Sequence, residues 1–156
     1  MAAGLRVSEI AALQMRDLDL GERHGWVRVR APETKRRKER RVPVKVDARR
    51  VLQQYLDSRI VAQGIAANDP ISLSQKGGAM TPYAVWYTVK KYARLAGVED
   101  VSPHNFRHTV ATRLVRDSET DMVTAATFLG HSRLDTTARY SQSSEDDLAA
   151  AAERLR

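Results

Sequence analysis

Apolar residues recur at helical intervals along most of this chain and alternate with polar ones only near residues 26–45. In the opening segment Ile10, Leu13 and Leu18 fall at roughly helical spacing, and Ser8 stands where an N-cap would. Residues 26–30 and 41–45 read as two short strands, and the stretch between them, 31–40, is the most charged of the chain. That pattern predicts a β-hairpin with a basic tip. Asp47 is placed to cap a helix running to about Gln63, with Val51, Leu52, Tyr55, Leu56 and Ile60 inward and Gly64 closing it. Thr81-Pro82 pairs an N-cap with proline at the first helical position and predicts a helix reaching Leu95 and stopping near Gly97. Ser102-Pro103 repeats the signal for a helix through Arg116, and Asp121 opens a short helix ending at Gly130. Further helices are expected over 134–141 and from Ser144 to the end. The expected class is mainly α with a small antiparallel β-hairpin or sheet.

A chain of 156 residues suits one domain able to bury a core without disulfides or metal. It has no cysteine, which removes disulfide frameworks, thiolate zinc sites and cysteine nucleophiles together. No apolar run approaches the ~20 residues that span a bilayer. The segment MAAGLRVSEI carries no signal-peptide pattern. A cytoplasmic setting is therefore expected. Lys and Arg number 26 against 19 Asp and Glu, a net charge of +7. Such a surplus attracts polyanions, nucleic acid foremost.

Three local patterns could carry chemistry. His104, Arg107 and His108 lie three and four apart and share a helical face. Two histidines so spaced can hold a metal, but Asn105 stands where a zinc protease needs its glutamate, and no third ligand is evident. The plain reading is a helix with polar residues at its start. The functional one is an anion site, where free N–H groups and the helix dipole add to Arg107. In Leu129-Gly-His131 through Tyr140, a Gly-His pair usually means a cap and a late tyrosine usually means core. In Gly4-Leu-Arg-Val-Ser-Glu9, Arg6 and Glu9 read by themselves as a surface ion pair, worth little.

Taken together, GLRVSE, the basic TKRRKERRVPV, HNFRHTVATRL, LGH and TTARY, with Tyr140 nine residues after His131, resemble the tyrosine recombinase (phage integrase) family in order and spacing. The likeness spans residues 4 to about 141. It implies a catalytic domain that cuts and rejoins DNA through a phosphotyrosyl intermediate, with no metal or nucleotide cofactor. By resemblance, Arg6 and Arg107 hold the scissile phosphate and Tyr140 is the nucleophile. His104 handles the tyrosine proton, and His131 hydrogen-bonds the phosphate. Glu9 braces the pocket, and His108 is a companion histidine of structural character. Aligning backwards from Lys-Glu-Arg-Arg-Val-Pro-Val selects Lys35 as the hairpin general acid, with Lys38 as its rival. The family's glycine beside that lysine is missing here.

The chemistry calls for such residues. A phosphodiester repels nucleophiles, and two guanidiniums can grip its nonbridging oxygens as charge spreads over them. A phenol is a poor nucleophile until it loses its proton, and the departing 5′-oxygen needs one. Given the resemblance, Arg36, Arg37, Lys38, Arg40, Lys76, Lys90, Lys91 and Arg94 are expected to touch the backbone of double-stranded DNA. Trp86 is expected in the core. The resemblance also implies a tetramer on paired sites, with the 144–156 helix docking on a neighbour. It implies as well an N-terminal clamp domain and a further helix ahead of Gly4, so that the chain is either a fragment or a natural truncation. Three other readings stay open: a truncated DNA-binding relative without activity, a type IB topoisomerase-like relaxase, and a helix-turn-helix regulator.

Overall fold

The computed structural model describes residues 4–31, 39–98, 101–117 and 120–130. Three strands, β1 (Leu18–Leu20), β2 (Gly25–Val29) and β3 (Arg40–Pro43), form an antiparallel sheet in the order β1-β2-β3. Along β2 the alternation is strict: Gly25, Val27 and Val29 point inward, while Trp26 and Arg28 point out. Val27 pairs with Val42 on β3 and with Leu18 on β1, which fixes the register that keeps the valines inside. On the outer face Arg41 lies over the Trp26 ring, 5.2 Å from its centroid. The core gathers Leu5, Leu13, Val27, Val29, Val42 and Ile71, with Ile10, Leu52 and Phe128 packed against it.

Among the described residues there are five α-helices beside the sheet: α1 (Val7–Ala11), α2 (Val46–Gln63), α3 (Pro82–Leu95), α4 (Pro103–Thr112) and α5 (Met122–Leu129). Helix α3 starts and stops where its punctuation predicts, with the Thr81 hydroxyl accepting from the Ala84 amide. Helix α5 opens at Asp121 and closes at Gly130, as expected. The two paired strands expected of the hairpin are present as β2 and β3, with a third strand, β1, added at the edge; the basic tip, 32–38, lies outside the described residues.

Five details differ from the sequence reading. The first helix is capped at Arg6 rather than Ser8, because the Glu9 carboxylate reaches back to accept from the Arg6 amide at 2.8 Å. It ends at Ala11, so Leu18 belongs to a strand, reached through a 3-10 turn at Met15–Asp17. Lys45, not Asp47, occupies the cap of α2. On that helix Leu56 is buried as expected, but Val51 is 66% exposed and Ile60 is exposed too. The inward position is taken by Arg59, whose Nη1 donates to the Pro70 and Ile71 carbonyls at 2.6 and 3.2 Å. Helix α4 gives way at Arg113 to a π-helical turn, Arg113–Asp117, instead of running on as α-helix through Arg116. The helices expected over 134–141 and 144–156 lie outside the described residues.

Candidate active site

Three guanidiniums and one carboxylate meet at the C-terminal end of α5. The last carbonyls of a helix have no intrahelical donor and carry its negative partial charge, so they are natural acceptors for cationic side chains. Here they are all taken. Arg40 Nε donates to the Phe128 carbonyl at 3.1 Å. Arg6 donates through Nη1 to Leu129 O at 3.5 Å and through Nη2 to Gly130 O at 3.1 Å. Arg107, buried on α4, donates from Nη2 to the same Leu129 carbonyl and from Nη1 to the Gly4 carbonyl. The two arginines are 101 positions apart in sequence, yet they share one acceptor atom.

Glu9, in the first turn of α1, binds the group together. Its Oε1 accepts from Arg6 Nη1 at 2.9 Å and Arg40 Nη1 at 3.0 Å. Its Oε2 accepts from the Arg6 amide at 2.8 Å and Arg40 Nη2 at 3.0 Å. Burial pushes the Glu9 carboxyl up. The bonds from Arg40 and Arg6 and the Arg40 charge outweigh that and bring its pKa from 4.5 down to about 2. Glu9 is therefore an anion at neutral pH. Among the described residues, three positive groups meet one negative at this site. Arg6 keeps a quarter of its side chain exposed. Its Nε makes no hydrogen bond among the described residues. The arrangement can receive an external anion.

Backbone geometry makes this approach possible. Gly130 is left-handed at φ +64°, the usual close of a helix, and a Cβ there would lie 2.6 Å from Arg40 Nη1. At the other end of α5, hydrogen bonds from Thr124, side chain and amide, hold the Asp121 carboxyl below the usual range and fix the helix start.

The sequence pattern of the phage integrase family covers residues 1–147. The chain belongs to that family. It is 38% identical over 149 residues to the tyrosine recombinase XerD of Ralstonia nicotianae, covering 94% of this chain and 47% of that protein. It is 35% identical over 149 residues to the tyrosine recombinase XerC of Herpetosiphon aurantiacus, covering 93% and 46%. This phage integrase relative thus spans about half the length of the curated proteins it matches. Among solved structures, the crystal structure of XerA recombinase superposes with a TM-score of 0.78 at 27% identity, over 99% of this chain and 55% of that one. The pre-cleavage complex of XerH site-specific recombinase with its difH substrate superposes with a TM-score of 0.78 at 26% identity, over 98% and 43%. The family fold expected from the motifs is the fold observed.

Within this integrase fold, Arg6, Glu9 and Arg107 are brought together. His104 and His108 lie exposed on α4, one to either side of buried Arg107 in sequence. Lys35, Arg36, Arg37, Lys38, His131 and Tyr140 lie outside the described residues. His131 directly follows Gly130, whose carbonyl Arg6 holds. Lys76, Lys90, Lys91 and Arg94 are all exposed. Trp86, expected in the core, is 36% exposed, stacked on Tyr83 at 5.8 Å with Lys90 Nζ 5.1 Å above its ring. The buried residues of α3 are the small Val85 and Ala93, which leave its aromatic side facing out. Arg40 also sits elsewhere than expected. Its side chain is only 9% exposed and all three of its nitrogens are engaged inside the protein. Sequence reasoning missed this role, and missed the backbone acceptors of α5 altogether, because a carbonyl has no letter in the sequence.

Proposed function

We propose that the chain is the catalytic part of a site-specific DNA recombinase or integrase that works through a phosphotyrosyl intermediate at Tyr140. One observation carries this reading: Arg6 and Arg107, far apart in sequence, converge on the Leu129 carbonyl. A bridging phosphodiester is the anion such a pair suits, since two planar guanidiniums can each grip nonbridging oxygens. The Tyr140 oxygen forms a bond to phosphorus as the bond to the 5′-oxygen breaks. His104 takes the phenolic proton, and Lys35, or Lys38, supplies one to the departing oxygen. His131 adds a hydrogen bond to the phosphate. The phosphotyrosyl ester conserves the bond energy, so rejoining by the incoming 5′-hydroxyl needs neither metal nor nucleotide. Glu9 and the Arg107 neighbourhood, His108 included, hold this frame in place.

The exposed row of Lys90, Lys91 and Arg94 on α3, with Lys76 near its start, and the 36–38 cations of the hairpin supply backbone contacts to double-stranded DNA. Acting on DNA, the protein would work in the cytoplasm; among the described residues no helix is long and apolar enough to cross a membrane. An N-terminal clamp domain, a helix ahead of Gly4, tetramer formation on paired sites and docking of 144–156 on a neighbour belong to the same proposal.

A nicked suicide duplex tests it. The unaltered chain is expected to form a denaturation-resistant protein–DNA adduct, and Tyr140→Phe to form none. DNA binding with no adduct from either would leave a binding module in place of an enzyme. Cross-linking that finds 144–156 packed only on its own chain would remove the docking.

A further inference from the structure

Arg40 lies at the start of β3, in a run of positive charge whose other members suit a DNA surface, yet its guanidinium is turned into the protein. We infer that Arg40 is a positioning residue: by clamping both oxygens of Glu9 and the end of α5, it keeps Arg6 from being neutralised by Glu9 and leaves it open to the scissile phosphate. The inference rests on the recombinase reading above and assigns a role to a residue outside the phosphate-holding set.

Three features of the structure support it. The Arg40 fork matches the carboxylate tooth for tooth, Nη1 to Oε1 and Nη2 to Oε2, both at 3.0 Å. Its Nε reaches the Phe128 carbonyl at 3.1 Å, so one side chain ties α1, β3 and α5 together. The space it fills is available only because Gly130 has no Cβ. Electrostatics give the direction of the effect. Glu9 has two cationic partners, and its single negative charge is divided between them. Without Arg40 that charge would fall on Arg6 alone, at 2.9 Å in a largely buried setting. Arg6 would then be a closed ion pair and a poor phosphate ligand. A surface cation contacting DNA would behave otherwise. Its loss would weaken binding and lower the salt slope of affinity by about one phosphate's worth.

The adduct assay on the nicked duplex, run at saturating DNA, separates these cases. Arg40→Gln is expected to slow adduct formation about tenfold to a hundredfold, less than the 10²–10³ lost with a donor that touches the reacting group. The salt slope of DNA binding should stay at its original value. Glu9→Gln placed on top of Arg40→Gln is expected to restore part of the rate, because it removes the charge that would capture Arg6. A purely structural role predicts the opposite, with the double variant slower than the single one. Arg40→Lys keeps the charge and serves if Arg40→Gln does not fold. It should also be slow, since an ammonium cannot span two carboxylate oxygens and a carbonyl at once. Unchanged rate in the single variants, or no recovery in the double variant, overturns the inference. No adduct from the unaltered chain overturns the recombinase reading itself, and the inference with it.

Discussion

At the scale of single residues the site is organised around Glu9, and its ionisation gives the first prediction. The folded carboxyl titrates at about 2 against an ordinary 4.5. A depressed folded value means stability that is fully present above pH 4.5 and lost as pH falls towards 2. Thermal melting between pH 5 and 2 should therefore show a steep loss of stability that Glu9→Gln lacks, although Glu9→Gln starts lower at pH 7. A flat difference between the two across that range would mean that the Arg40 and Arg6 bonds do not hold the carboxylate. Arg6, Glu9 and Arg107 were legible in the sequence because each sits in a motif of fixed spacing. Arg40 was not. A cation in a run of cations reads as solvated, and only the carboxylate 31 positions away shows that it is buried.

At the scale of elements, punctuation was more informative than periodicity. Thr81-Pro82 and Gly130 marked the bounds of α3 and α5, because a proline ring and a missing Cβ act on the backbone directly. The inward face of α2 was misjudged because period alone treats every apolar residue as core. Tyr55, for instance, is partly exposed and is tied down instead by its hydroxyl, which donates to the Ile71 carbonyl at 2.8 Å. Strand β1 was missed because three residues are too few to show alternation. The cap of α3 is the element-scale test. Thr81→Ala removes the acceptor for the Ala84 amide and should cost about 1 kcal/mol, read as a lower melting temperature. Thr81→Ser should restore most of it.

At the scale of the whole molecule, charge is arranged in two ways. Arg6, Arg40 and Arg107 point into a shared site, while Lys90, Lys91 and Arg94 lie along an exposed helix face. If that face meets DNA backbone, Lys90→Ala and Arg94→Ala should each reduce the slope of log affinity against log salt by about one, with the adduct rate at saturation unchanged. An unaltered slope would return these residues to ordinary solvated surface. The site itself is hung from main-chain oxygen atoms of residues 128–130. Replacing the exposed side chains of α5, Val123, Thr124 and Thr127, leaves those oxygens where they are, so a scan of those positions would pass over the helix as unimportant. A one-residue insertion would not be so forgiving. It would swing the terminal carbonyls through about 100° and advance them about 1.5 Å, and the grip on all three arginines would be lost together. Tolerance to substitution at the exposed positions with intolerance to changes of length is the signature this architecture should leave on α5.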